Sequence, residues 1–249
     1  MPLHTTEAII IGSHDLAEAD RIIVFYTKTS GKVRAVAEGV RRLRSRFGGN
    51  VQLFSQGRLV YFERPTKSLH KVNEFSAVRG HQPLREDLDR IALASIAVEA
   101  VALGVEDSDP FPDLYLLLAE ALDQLETAGR PALVLQGFLL HLLRLLGYRP
   151  EFSVCVRCHA ALAAPVETYL SPTQGGAVCP ACRQSAGDAF PISRDALGFL
   201  RGAGGTSLRL MDRIALPSPI LQEVSGALQA FLRHALGRSL RSADFLSRL

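Results

Sequence analysis

The chain has four cysteines, set as two matched pairs: Cys155-Val-Arg-Cys158 and, after twenty intervening residues, Cys179-Pro-Ala-Cys182. A C-x-x-C turn lets two thiolates grip one ion, and two such knuckles complete a tetrahedral all-thiolate zinc site. Gly175-Gly176 precedes the second knuckle, where backbone free of Cβ can turn sharply. Two disulfides, or four unrelated core cysteines, are the alternatives. The absence of a leftover cysteine and a spacing within the zinc-ribbon range favour one zinc per chain held by Cys155, Cys158, Cys179 and Cys182. Four thiolates leave no open position for water or substrate, so the expected role is structural. No H-E-x-x-H helix is present, nor the H-x-E that precedes the cysteine pair of zinc deaminases. His159 directly follows Cys158, but adjacent ligands on one loop strain the geometry, and it is left out of the set.

A second stretch carries charge rather than thiols. Between Glu38 and Asn50 the guanidiniums of Arg41, Arg42, Arg44 and Arg46 fall within six residues, bounded by Gly39 and Gly48-Gly49. Arginine can fork two donors onto phosphate oxygens and also stack on bases. Charge runs are commonly just solvated loops. Here, however, residues 1–80 hold thirteen Lys/Arg against seven Asp/Glu, a net of +6, whereas residues 81–249 carry a net of −3. Lys32 and Arg34 belong to the same cationic module, and with the four loop arginines they form the expected nucleic-acid contact set. Phe25, Tyr26, Phe47, Phe54, Tyr61, Phe62 and Phe75 interleave with this charge. Single-strand binders stack bases on such rings for about 1–3 kcal/mol each, although a small barrel must also fill its interior. Phe25/Tyr26 and Tyr61/Phe62 are consecutive, so in regular strands one of each pair is core and the other is a possible base platform.

The elements that must position these groups change character near residue 80. Short β-rich runs at Thr5–Gly12, Arg21–Thr27, Lys32–Val40, Arg58–Arg64 and Lys71–Val78 are separated by turn signals such as Thr29-Ser30-Gly31. Five short strands in fewer than eighty residues point to a closed barrel, with the OB-fold leading and an SH3-like barrel as its rival. After the linker His81-Gln-Pro83 the period becomes helical: Leu84–Val105, Pro110–Thr127 and Pro131–Tyr148 carry apolar residues through several turns. The third is apolar almost all round and should be the central helix of a bundle, with His141 packed in its core. A metal module over about 150–188 interrupts the helices, which resume after an N-cap at Ser193 and again at Ser218-Pro219, with a last helix near Ser242–Leu246. The expected architecture is α+β: residues 1–80 an OB-fold nucleic-acid-binding domain, residues 81–249 an α-helical domain with the inserted zinc-ribbon-like module.

Composition narrows the class. Apolar residues make up 47% and charged residues 21%, as in ordinary globular proteins. The start MPLHTTEAII lacks the cationic segment and apolar run of a secretory signal, and Glu99, His141 and Arg144 interrupt the longest apolar stretches. Free thiols without a signal lead to the expectation of a reducing cytoplasm and no membrane. A metal-dependent hydrolase or nuclease would need an open metal site or clustered carboxylates, neither of which is evident. A zinc-containing OB-fold protein binding RNA in translation or transcription is the alternative outside DNA metabolism.

The chain also resembles a known family, the bacterial recombination mediator RecO. The resemblance rests on EADRIIVFYT from Glu18 to Thr27, on Gly31-Lys32, and on EGVRRLRSR from Glu38 to Arg46. More specific are LLGYRPEFSVCVRC from Leu145 to Cys158 and YLSPTQGGAVCPAC from Tyr169 to Cys182, with SADFL from Ser242 near the end. The resemblance implies an N-terminal OB-fold, a helical C-terminal domain with a zinc module, and no catalysis. It further implies binding of single- and double-stranded DNA, annealing of complementary strands, and loading of RecA onto strands coated by single-stranded-DNA-binding protein (SSB), together with RecR at the bacterial nucleoid.

Overall fold

A computed structural model describes residues 2–42, 45, 47–64, 69–162 and 167–246. Its backbone forms two compact units, Met1–Glu126 and Thr127–Leu249.

The first unit is built on β1 (Leu3–Asp15), β2 (Arg21–Thr27), β3 (Gly31–Ala37), β4 (Gln56–Phe62) and β5 (His70–Arg79). They close in the order β1-β2-β3-β5-β4, with β4 returning to β1. All pairings are antiparallel except the short β3–β5 contact, where Ala35 faces His70 and Val36 faces Lys71. This closed five-stranded order makes the domain an OB-fold and removes the SH3-like rival. The long β1 serves two neighbours, pairing with β4 over residues 3–9 and with β2 over residues 8–15. An irregularity between Ile10 and Gly12 lets it bend from one to the other. The β2–β3 hairpin turns where Thr29-Ser30-Gly31 predicts: the Thr27 hydroxyl donates to the Gly31 carbonyl at 2.8 Å, and Gly31 takes φ 61. A Cβ on Gly31 would stand 2.3 Å from the Asp109 carbonyl, so only glycine fits that close approach.

Alternation along the strands fills the barrel with Ala8, Ile10, Ile23, Phe25, Val33, Ala35, Leu59, Tyr61, Val72 and Phe75, and Phe47 and Val51 join that cluster from the β3–β4 connection. The unit does not end at residue 80. The helices α1 (Gln82–Glu86), α2 (Leu88–Gly104) and α3 (Pro112–Thr127) follow, and nearly all of this stretch belongs to the barrel's unit rather than to the helical bundle. The reason is that the barrel's outer face is also apolar: Tyr26 is fully buried there, its hydroxyl donating to the Phe111 carbonyl at 3.3 Å and its ring near Tyr115 of α3. The helix expected to start at Leu84 is two helices, because Asp87 leaves helical geometry and caps α2 through Arg90 N–H.

In the second unit α4 (Pro131–Leu145) is the most enclosed helix, buried at ten of its fifteen positions. Around it pack α7 (Leu208–Met211) and α8 (Ser218–Leu236), and α6 (Arg194–Ala203) packs on α8. His141 sits at the edge of that core, donating to the Thr206 carbonyl at 2.9 Å. Ser193 caps α6 as expected, accepting from Ala196 N–H. The cap of α8 falls one residue earlier than expected, at Pro217, with Ser218 as the first helical residue. Between α4 and α6 lies a small sheet of order β7-β6-β8, from β6 (Thr168–Ser171), β7 (Gly176–Val178) and β8 (Phe190–Ile192), with the short α5 (Pro180–Arg183). The last helix is α9 (Arg241–Leu246). Among the described residues no helix is long and apolar enough to cross a membrane.

Candidate metal centre and nucleic-acid interface

The two knuckles meet. The sulfurs of Cys155, Cys158, Cys179 and Cys182 all lie within 4.8 Å of one another, and those of Cys158 and Cys179 are 3.7 Å apart. None of the four forms a disulfide. Thiolates about 2.3 Å from a central ion sit roughly 3.8 Å apart along tetrahedral edges, so the cluster has the dimensions of a metal site. Main-chain bonds shape each knuckle. His159 N–H donates to the Cys155 carbonyl at 2.9 Å, and His159 takes the left-handed turn at φ 59 without joining the ligand cluster. Cys182 N–H and Arg183 N–H both donate to the Cys179 carbonyl, each at 3.1 Å.

Electrostatics point the same way. Burial raises the Cys155 thiol, but N–H groups of Cys158, Cys179 and Arg157 outweigh this and bring it to about 6. Cys182 is pushed up to about 12, first by its hydrogen bond with Cys179 and then by the other sulfurs. Without a cation, one thiolate makes the next harder to form; a divalent metal removes that conflict.

The supporting sheet explains the glycine pair. Gly175 holds φ 80 in the turn, and a Cβ on Gly176 would stand 2.2 Å from the Glu151 carbonyl. Ala177 N–H donates to that same carbonyl at 2.7 Å, so the strand that leads into Cys179 is bonded to the lead-in of the first knuckle. Asp188 secures the hairpin from the other end, accepting from the Ser171 hydroxyl, from Thr173 N–H at 2.9 Å and from the Thr173 hydroxyl at 2.8 Å. Arg201 of α6 donates to the carbonyls of Phe152 at 2.7 Å and Leu162 at 3.0 Å, tying the module to the bundle.

The expected DNA-contact residues separate into three groups. Arg41 and Arg42 are exposed at the start of the β3–β4 connection. Arg44 and Arg46 lie outside the described residues. Arg34 is half exposed, its Nε 3.7 Å from an Asp107 oxygen. Lys32 departs from expectation: its side chain is 11% exposed, and its ammonium donates to the carbonyls of Ala102 at 3.0 Å and Val105 at 2.9 Å beside Asp107. A helix C-terminus has orphan carbonyls, and a lysine on the neighbouring strand fills them better than solvent does.

Aromatic platforms fare similarly. Both members of the Phe25/Tyr26 pair are buried, one inside the barrel and one beneath α3. Phe47, Phe54, Tyr61 and Phe75 are buried too, leaving Phe62 as the partly exposed ring of the seven. Strand alternation identifies opposite faces, but not that helices cover the second one.

What sequence reading did not single out is the β1–β2 turn beneath the arginines. Asp20 accepts from Gly39 N–H at 2.7 Å, and Arg41 N–H donates to the Ala19 carbonyl at 3.1 Å. Asp15 bridges two arginines, accepting from Arg21 Nε at 2.8 Å and standing 3.5 Å from Arg41 Nη1. The bonds from Asp20 to Gly39 and from Arg41 to Ala19 join two turns about twenty residues apart, a pairing that spacing alone does not announce.

Comparison with known proteins agrees with this architecture. Residues 1–81 match the family model for the recombination protein O N terminal region, and residues 85–244 match that for its C terminal region. Among similar proteins, a DNA repair protein RecO of Roseiflexus sp. is 35% identical over 98% of this chain and 85% of its own length. Its counterpart in Symbiobacterium thermophilum is 33% identical over 100% and 98%, and that in Moorella thermoacetica 30% over 99% and 91%. On both family models and these near-full-length relatives, the chain belongs to the RecO family of DNA repair proteins.

Proposed function

We infer that this protein binds single- and double-stranded DNA through the arginine segment on its OB barrel and anneals complementary strands. With RecR as partner, it helps load RecA onto strands coated by SSB, at the nucleoid in the bacterial cytoplasm. The observation that carries the reading is the exposure of Arg41 and Arg42 on a closed OB barrel in a chain of this family. Arg34, Arg44 and Arg46 complete the contact set; Lys32 is assigned to the helix cap instead.

Annealing requires two polyanions to approach while their bases stay free to pair. Guanidiniums that neutralise phosphates and release counterions do this without reading sequence, so strands can sample registers until base pairing takes over. No covalent step enters. The metal in this reading is one zinc per chain, held by Cys155, Cys158, Cys179 and Cys182 as a cross-link between the two knuckles.

The test is the full-length protein with Arg41, Arg42, Arg44 and Arg46 all changed to alanine. Single-strand affinity and annealing should fall together, with the salt slope reduced by about 0.7 for each phosphate left without its arginine and the thermal midpoint unchanged. Unaltered affinity and slope would remove the segment from the interface. Preferential binding of RNA over DNA of equal length would favour an RNA-binding role instead.

A further inference from the structure

Arg21 opens β2, outside the arginine run, yet the fold brings it to the same carboxylate as Arg41. Asp15 lies at the end of β1, where its partner across the ladder is Arg21 itself. One Asp15 oxygen takes the Arg21 Nε–H, and the other faces Arg41 Nη1. All three side chains remain open to solvent: 38% exposed for Arg21, 44% for Arg41 and 58% for Asp15. An exposed ion pair of this kind contributes little to stability, since water and salt screen it. It does nevertheless define a geometry: two guanidiniums on different segments converge on one small anion with two oxygens. A phosphodiester offers the same two acceptor oxygens and the same single charge as a carboxylate. The turn below holds that geometry through Asp20 and Gly39 and through Arg41 N–H and Ala19.

We propose that Arg21 and Arg41 form one seat for a backbone phosphate and that Asp15 occupies it in the free protein. Strand binding then proceeds by exchange of an internal carboxylate for a phosphate. The inference rests on the DNA-binding reading above and adds Arg21 to the contact set. Exchange has two consequences. Asp15 weakens binding at equilibrium, because its own attraction must be given up. It also makes the salt dependence shallower, because the released carboxylate regains a counterion as the DNA's phosphate gives one up.

The experiment measures single-strand affinity against salt in the full-length protein for Asp15→Asn, Arg21→Ala, the double variant, and Glu18→Gln as a control for removing one acid from the same turn. Asp15→Asn should bind tighter by up to about fivefold, the upper end for an exposed ion pair, with a slope steeper by up to about 0.7. Arg21→Ala should bind more weakly, and Asp15→Asn should gain less in its presence than in the wild type, because only Arg41 is then left to release. Thermal midpoints identify any variant whose loss comes from misfolding; Arg21→Lys, which keeps the charge, then replaces Arg21→Ala and should weaken binding less. An Asp15→Asn gain equal to that of Glu18→Gln, or one that is undiminished without Arg21, overturns the seat and reduces Asp15 to a general field effect. Failure of the wild-type protein to bind DNA in a salt-dependent way would instead overturn the reading of function itself.

Discussion

The Lys32 ammonium donates to the Val105 carbonyl at 2.9 Å, so a barrel strand caps the C-terminal end of α2. The same nitrogen reaches the Ala102 carbonyl at 3.0 Å and Asp107 at 3.2 Å, which ties the helices of the first unit to the barrel. Lys32→Met keeps the aliphatic stem and removes the charge. Two poorly solvated carbonyls then lose their partner and Asp107 is left with Arg34, and the loss should be about 1–3 kcal/mol in urea unfolding. The single-strand salt slope should not move. A slope lower by about 0.7 with unchanged stability would make Lys32 a phosphate ligand after all.

Removing metal should act on one segment first. Elemental analysis of protein purified without chelator should give about one zinc per chain. Structural zinc is worth roughly 10–16 kcal/mol in isolated finger peptides. Chelation, or Cys155→Ser at the buried ligand, should therefore strip hydrogen-exchange protection from residues 150–190 before the barrel strands lose theirs. Equal protection with and without chelator would count against a structural metal.

Acid should loosen the β4–β5 connection. His70 Nδ1 accepts from Arg64 N–H at 3.2 Å, which requires that nitrogen to be unprotonated. Burial lowers the His70 pKa from its ordinary 6.5; Glu63 opposes this, whereas His4 and Arg64 add to it. Tyr61 lies against His70 with ring centroids 5.5 Å apart, and Glu63 is itself held by His4 at 2.6 Å. Folded His70 thus takes up its proton less readily than the unfolded chain does. Its contribution to stability is present above about pH 6.5 and is lost as pH falls through the folded value. Thermal midpoints of the wild type should decline over that window more than those of His70→Asn, whose amide oxygen accepts without titrating. Parallel curves would absolve His70.

Much of the barrel was legible from residue types. Strand positions follow from Val, Ile and Phe alternation, and Thr29-Ser30-Gly31 marks the hairpin that forms. The cysteine spacing anticipates the sulfur cluster, because a C-x-x-C turn is a local geometry and the two glycines sit where main chain passes close. Less legible was which polar and aromatic groups remain outside. Lys32 and Tyr26 sit on strand faces that an isolated barrel would show to water, but α2 and α3 cover them. Burial of an outer face depends on packing between segments about seventy or more residues apart, which no local pattern encodes.

By itself, then, the sequence determined the closed-barrel strand pattern, the enclosed character of α4, the four metal-ligand candidates and the arginine run, since each is set by composition or by spacing within one turn or strand. Tertiary structure alone decided that Lys32 caps a helix, that Tyr26 is buried, and that Asp15 stands between Arg21 and Arg41. Those outcomes turn on the direction of long-range packing, where a side chain takes whichever partner the neighbouring element brings within reach.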